Sequence, residues 1–185
     1  MIFRLSQKLG RKIGVTPPEC IPMDTNPLAD WTAHLFTAQR AQYIIITNTP
    51  SLYSTVMYGR GITTDSRFLE QALSCMREFL AHDGNGLVFE KLIVPDTRRV
   101  IFSRSLNRSV TGSMNDLVSQ AKLYLAISDE SPFDISFKLN ETPLSYLKYL
   151  SPREALRALS TKQLVCYREP EATENLSARF RPWSN

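Results

Sequence analysis

Cysteine is scarce in this chain, with three residues in a sequence of 185. Cys20, Cys75 and Cys166 lie far apart and form no C-x-x-C pair. A small, odd and scattered set of cysteines argues against a disulfide framework and against a metal site built from paired thiols. Free thiols are typical of reducing compartments, so we expect a cytoplasmic protein.

Glycine and histidine are also few, with seven and two residues. The P-loop spacing, the dinucleotide pattern G-x-G-x-x-G and the hydrolase elbow G-x-S-x-G are all absent. Gly59-Arg60-Gly61 follows a predicted strand, where it is more typical of a hairpin exit than of a phosphate loop. Neither His34 nor His82 has another histidine or a cysteine at metal-ligand spacing, so the sequence implies no metal and no cofactor.

Long hydrophobic runs are missing as well. No apolar stretch reaches the roughly 18 residues that a membrane-spanning helix requires, and we expect no membrane partner. The charges of Arg4 and Lys8 leave no room for the apolar stretch of a signal peptide. Hydrophobic residues make up 43% of the chain and charged residues 22%, which is typical of a globular protein and excludes wholesale disorder.

The length suits one domain of ordinary size followed by a short appendage. We predict a single α+β domain over residues 1–160. Residues 161–185 are mostly polar and predict a C-terminal extension of low intrinsic stability. We expect residues 167–185 of this extension to lie over the domain.

Alternating and β-branched apolar residues predict a three-stranded meander over residues 31–37, 41–47 and 52–58. The connections between these strands are too short for the crossover that parallel neighbours need, so the strands should be antiparallel. Apolar stripes at helical spacing predict two main helices, over residues 66–81 and 113–127. The fold class should therefore be α+β, with a mostly antiparallel sheet packed against these helices.

Shorter elements complete the predicted fold. They are strands at residues 1–4, 100–103 and 134–139, and helices at residues 6–13 and 151–159. Residues 134–139 alternate apolar and polar side chains, as a half-buried strand does. Residues 87–94 are too few to decide between a strand and a helix. The prolines of residues 15–27 predict a loop, because proline removes backbone donors.

The densest polar stretch, residues 104–116, runs from a predicted strand into a predicted helix. Ser113 followed by Asp116 resembles a capping box, so we expect the helix to begin there. The unpaired amides of a first helical turn attract anions, and Arg104 and Arg108 lie close by in sequence. The stretch therefore predicts a site for a phosphate, a carboxylate or a nucleotide. The alternative is that it only caps the helix and braces the loop, and the charge of Asp116 favours that alternative.

Each residue type in this predicted site suggests a role. Arg108 would contact the anionic group, Ser113 would hold it together with the helix amides, and Asn115 would give it direction. Glu141, in a later predicted turn, would accept a proton or pair with Arg108, unless it only closes the turn. The candidate ligand-binding residues are Arg104, Asn107, Arg108, Ser109, Ser113, Asn115, Asp116 and Glu141.

Three functions are compatible with these patterns. The first is a non-catalytic binding or interaction module for an anionic or polar ligand. The second is nucleic-acid binding through acid-free basic stretches, in a chain of net charge +4. The third is a hydrolase that uses Asp116 and Glu141 as paired carboxylates. The residues of the nucleic-acid hypothesis are Arg4, Lys8, Arg11, Lys12, Arg98 and Arg99.

Two further expectations concern surfaces. Trp31, Phe133, Tyr146 and Tyr149 fit a hydrophobic core better than a platform for stacking bases. The strand at residues 52–58, if it lies at the edge of the sheet, could pair with another chain. The sequence leaves the oligomeric state open.

Ten residues at the predicted site, Asn-Arg-Ser-Val-x-Gly-Ser-Met-Asn-Asp, resemble the signature of a bacterial family of domains of unknown function. Three other segments fit the same family. They are Leu-Ser-Gln-Lys-Leu at residues 5–9, Leu-Ala-Asp-Trp at residues 28–31 and Leu-Asn-Glu-Thr-Pro at residues 139–143. The resemblance covers about residues 1–160 and supports the predicted domain and site, while it implies no activity or substrate.

Overall fold

The computed structural model describes residues 1–17 and 19–177. Five strands form one sheet: β1 (Ile2–Leu5), β2 (Asp30–Ala38), β3 (Ala41–Asn48), β4 (Ser54–Tyr58) and β5 (Ile101–Ser103). Their order across the sheet is β4-β3-β2-β1-β5. The predicted meander is confirmed, with eight antiparallel residue pairs between β2 and β3 and five between β3 and β4. β1 pairs in parallel with β2 and β5 over four and three residues, so the sheet is mostly antiparallel.

Six α-helices lie among the described residues. They are α1 (Gln7–Lys12), α2 (Asp65–His82), α3 (Gly86–Val88), α4 (Arg108–Ile127), α5 (Pro132–Glu141) and α6 (Pro152–Ser177). The undecided stretch after α2 is helical, because α3 continues into a π-helical turn at Phe89–Ile93 and a 3-10 turn at Val94–Arg98. In this described part, no helix has the combination of length and apolar character that crossing a membrane would need.

Helices pack on both faces of the sheet and bury them. The fold class is α+β, as predicted. On one face, Ile44 and Ile46 of β3 belong to the same core as Phe68 of α2. On the other face, Ile45 belongs to a second core with Leu117 of α4. This arrangement explains why β3 has a continuous apolar run rather than an alternating pattern.

The predicted strand at residues 134–139 is wrong, because this segment lies inside α5. Ser131 caps the helix by accepting a hydrogen bond from the amide of Asp134, whose side chain bonds back to the Ser131 backbone. Ile135 and Leu139, spaced four residues apart, are both buried. In a segment this short, the same residues fit a helical stripe and a strand alternation equally well.

Helix α5 covers the edge strand β4 and binds its backbone. Asn140 Oδ1 accepts a hydrogen bond from the Ser54 amide at 2.8 Å, and Asn140 Nδ2 donates to the Ser54 carbonyl at 2.7 Å. Ser136 Oγ accepts from the Val56 amide at 2.9 Å. Helix α5 therefore occupies the backbone groups of Ser54 and Val56 at the edge of β4 where another chain could have paired.

The predicted end of the last helix near residue 159 is also wrong, because α6 continues to Ser177. The predicted boundary between domain and extension at residue 160 falls inside this helix. Of the segment expected to lie over the domain, residues 178–185 are outside the described residues.

The four aromatic residues predicted for the core divide into two pairs. Trp31 is buried and donates from its indole Nε1 to the Leu28 carbonyl at 2.7 Å, and Phe133 packs against the core of α2. Tyr146 and Tyr149 are 40% and 78% exposed, so the prediction that they belong to the core is wrong. They lie in the turn before α6, where Tyr149 has a φ of 66°.

Candidate functional site

A groove lies between α1 and α4, next to the C-terminal end of the short strand β1. Two adjoining clefts form it, with volumes of about 640 and 620 Å³. Thr32 and His34 of β2 line its floor, and Val15 to Pro17 of the proline-rich loop line one wall. Lys8, Arg11 and His34 line both clefts and therefore join them into one groove.

The groove is strongly cationic. Lys8 and Arg11 come from α1, Arg104 follows β5, and Lys122 comes from α4. Among the described residues, no aspartate or glutamate lines either cleft. Within that part of the chain, none of these four cations forms a salt bridge.

His34 lies half-buried at the junction of the two clefts. Burial lowers the pKa of its imidazole below the ordinary value of 6.5, and the nearby charges of Lys8 and Lys122 lower it further. His34 is consequently neutral near pH 7. The influence of both lysines shows that positive charge from α1 and α4 converges on this point of the groove.

Arg4 is fully buried and binds a later part of the proline-rich loop that supplies this wall. Arg4 binds both carboxylate oxygens of Asp30, with Nε at 2.8 Å from Oδ1 and Nη2 at 2.7 Å from Oδ2. The same guanidinium donates to the carbonyls of Ile21 and Pro22 in the loop, both at 3.0 Å. The loop also accepts a hydrogen bond from Arg104 Nε through the Pro17 carbonyl.

The basic surface of the nucleic-acid hypothesis is not continuous. Arg4 is buried and paired, so its assignment to a surface is wrong. Lys8 and Arg11 follow the C-terminal end of β1, whereas the Arg99 carbonyl binds the amino group of Met1 at the strand's N-terminal end. Arg98 and Arg99 are therefore separated from the groove by the length of β1. Lys12 donates to Gln42 Oε1 at 2.7 Å.

Helix α4 begins five residues earlier than predicted, at Arg108. Its cap is Asn107, whose side chain accepts a hydrogen bond from the Val110 amide at 2.9 Å. Ser113 lies in the second turn and donates to the Ser109 carbonyl at 3.2 Å. The predicted capping box of Ser113 and Asp116 is therefore wrong, and Ser113 lies one turn away from the unpaired amides of the first turn.

Only two of the predicted ligand-binding residues, Arg104 and Asn115, line the groove. Those that line neither cleft are Asn107, Arg108, Ser109, Ser113, Asp116 and Glu141. Sequence reasoning missed the rest of α4 that faces the groove: Thr111, Met114, Val118, Ser119 and Lys122. Thr111, Asn115 and Lys122 are spaced four and seven residues apart, so they lie on one face of a helix. A prediction of α4 that began at Arg108 would have included all three on that face.

Glu141 belongs to a different cluster. Its Oε1 accepts a hydrogen bond from Arg153 Nη1 at 3.0 Å, and Arg153 also binds Asp83. Asp83 in turn accepts from the Tyr53 hydroxyl, and burial raises the pKa of that hydroxyl, which stays protonated. The predicted pair of Glu141 with Arg108 is therefore wrong.

The family of the chain follows from a comparison with known protein families. Residues 2–155 match a family described as "Domain of unknown function (DUF6933)". The chain belongs to the DUF6933 family. This confirms the resemblance to a family of domains of unknown function. No curated protein matches the chain.

The matched DUF6933 segment contains the whole groove, from Leu5 to Lys122. It ends at Ala155, close to the start of α6. Within the described part of the domain, no group of three or more histidine, cysteine, aspartate or glutamate residues is placed to hold a metal ion.

Proposed function

We propose that this DUF6933 protein is a non-catalytic binding module that holds a small anionic ligand in the groove between α1 and α4. The observation that carries the proposal is the lining of the groove, where Lys8, Arg11, Arg104 and Lys122 stand with no carboxylate from the described residues. The proposal keeps Arg104 and Asn115 of the predicted site and moves the ligand away from the N-terminus of α4.

Uncompensated cations in a partly enclosed groove favour an anion for a simple electrostatic reason. Like charges that lie close together repel each other, and a groove shields them less than open water does. A bound anion removes this repulsion and accepts hydrogen bonds from the ammonium and guanidinium groups. Hydrogen bonds to charged groups contribute about 1.5–3 kcal/mol each.

The non-catalytic part of the proposal rests on the same lining. Nucleophilic hydrolysis of the Ser-His-Asp type needs a carboxylate that orients the histidine. His34 is the histidine of the groove, and no described aspartate or glutamate lines the clefts beside it. Asp116 and Glu141, the carboxylates of the hydrolase hypothesis, line neither cleft.

Isothermal titration calorimetry with pyrophosphate tests this function. Pyrophosphate should bind with one-to-one stoichiometry, and Lys8→Gln and Lys122→Gln should each weaken binding about tenfold, because each removes a charge-assisted hydrogen bond. Arg98→Gln is the matched control, since it removes one positive charge from an exposed position outside the groove.

The Arg98→Gln control distinguishes binding in the groove from a general electrostatic attraction of pyrophosphate to a cationic protein. Equal losses in Lys8→Gln and Arg98→Gln would mean that pyrophosphate responds only to net charge, and the proposal would be wrong. The absence of pyrophosphate binding by the unaltered protein at low ionic strength would contradict it as well.

A further inference from the structure

The two clefts of the groove expose different kinds of atoms. The first cleft exposes more carbon than polar surface, whereas the second exposes more polar than apolar surface. The apolar residues that line the first cleft are Leu5, Gly10, Val15, Pro17 and Met114. A ligand that fills the groove therefore needs an apolar part beside a polar, charged part.

Four of the five hydroxyl groups that line the first cleft are already bound within the protein. Ser6 Oγ accepts hydrogen bonds from the amides of Leu9 and Leu35. Thr32 pairs with Thr49 at 3.0 Å and Ser105 pairs with Thr111 at 2.8 Å, whereas the fifth residue, Thr16, is exposed to solvent. Because these hydroxyls have partners, an apolar ligand can lie against this wall without leaving them unsatisfied.

The apolar lining is aliphatic rather than aromatic. Of the described residues, no phenylalanine, tyrosine or tryptophan lines the first cleft. Phe36 lines the second cleft, but it is 5% exposed and stacks on Tyr43 with ring centroids 5.6 Å apart. Proteins that bind single-stranded nucleic acids gain much of their affinity from bases stacked on exposed rings. The groove therefore favours an aliphatic body over nucleobases.

We propose that the ligand is a dissolved amphiphilic organic anion with an aliphatic body, such as an alkyl phosphate. Its body lies in the first cleft against Val15 and Pro17, and its charged head lies where Lys8 and Arg11 join the two clefts. This inference rests on the proposed function and adds the chemical class of the ligand. The volume of the first cleft, about 640 Å³, is within the usual range of small-molecule sites.

Calorimetry with methyl phosphate and hexyl phosphate tests the inference, because the two probes share one head and differ only in the alkyl chain. Hexyl phosphate should bind more tightly than methyl phosphate, by about two- to fourfold for each methylene that the cleft buries. The added affinity should carry a negative heat-capacity change, the signature of buried apolar surface.

A variant in the cleft wall separates the body from the head. Val15→Asn places an amide in the first cleft and should remove most of the difference between the two probes, while the affinity for methyl phosphate stays unchanged. Val165→Asn makes the same replacement at a position that is 53% exposed on α6, and it should leave both affinities unchanged. An unchanged methyl phosphate affinity also shows that Val15→Asn is folded.

The outcomes distinguish the two proposals. If methyl phosphate binds and hexyl phosphate binds no more tightly, the inference is wrong and the anion-binding function stands. If neither probe nor pyrophosphate binds, both proposals are wrong. A single-stranded oligothymidylate that displaces hexyl phosphate and binds more tightly would assign the groove to nucleic acid. Co-sedimentation with phosphatidylcholine vesicles only when they contain phosphatidic acid would place the anion in a membrane, and would overturn the dissolved ligand.

Discussion

His34 is the residue whose protonation depends most directly on the groove. Burial, followed by the charges of Lys8 and Lys122, lowers its pKa below 6.5. The unfolded chain therefore binds a proton at His34 at a higher pH than the folded protein does. The stability linked to His34 is complete above the pKa of the unfolded chain and is lost as the pH falls through the lowered pKa of the folded protein.

Replacing His34 should remove this pH dependence. Between about pH 7.5 and 5, the free energy of unfolding of the unaltered protein should fall more steeply than that of His34→Gln, because only the former contains the titrating ring. Urea denaturation at a series of pH values measures both slopes. Parallel slopes would show that His34 has the same proton affinity in the folded and unfolded states.

Arg4 shows what residue-level reasoning could not predict. Its position in an acid-free basic stretch favoured a solvent-exposed cation, yet it is completely buried. Arginine is almost never fully buried unless it is paired, and the partner, Asp30, is 26 residues away in sequence. The sequence contains both residues, but only the parallel pairing of β1 with β2 brings them together.

At the scale of elements, the start of α4 is where sequence and structure differ most usefully. Asn107 caps the helix, whereas Ser113 lies within it. Asn107→Ala should destabilise the protein by about 0.5–2 kcal/mol, the usual cost of losing a cap. Ser113→Ala should cost less than about 0.5 kcal/mol, as substitutions away from such features do. Thermal or urea unfolding of the two variants compares them directly, and a larger loss for Ser113→Ala would contradict the observed start.

Elements with a long and clear pattern were predicted well. In the strands of the meander and in α2, many residues fit a single pattern of apolar spacing. The connections between the strands of the meander are also short. Residues 134–139 and the start of α4 depended on local signals that two structures satisfy. At α5 the stronger signal was Ser131 followed by Pro132 and Asp134, and the same pattern, Ser151 followed by Pro152 and Glu154, begins α6.

At the scale of the whole molecule, Arg4 links the centre of the sheet to the proline-rich loop, through the Ile21 and Pro22 carbonyls. Arg4→Met should destabilise the protein by about 3–5 kcal/mol, because it leaves the Asp30 carboxylate buried without its partner. The double variant Arg4→Met/Asp30→Leu should be more stable than the single variant, since it removes the isolated charge. Urea denaturation of the four proteins gives the coupling. Additive losses would contradict the role of the buried pair.

The groove as a whole could not be predicted from sequence. Its cations come from α1, the segment after β5 and α4, which the chain separates widely. The pieces were present in two separate hypotheses, since Lys8 and Arg11 belonged to the nucleic-acid surface and Arg104 and Asn115 to the anion site. Their meeting depends on β1 pairing between β2 and β5, a tertiary arrangement that no local pattern encodes.

Met114 and Val118 of α4 belong to the buried core and also line the groove. A substitution at either position changes packing before it changes what the groove accepts, so natural variation there is constrained by the need to fold. Lys8, Arg11 and Thr16 are exposed and free of that constraint. Relatives that accept different ligands should therefore keep Met114 and Val118 nearly constant and differ at exposed positions such as Lys8, Arg11 and Thr16.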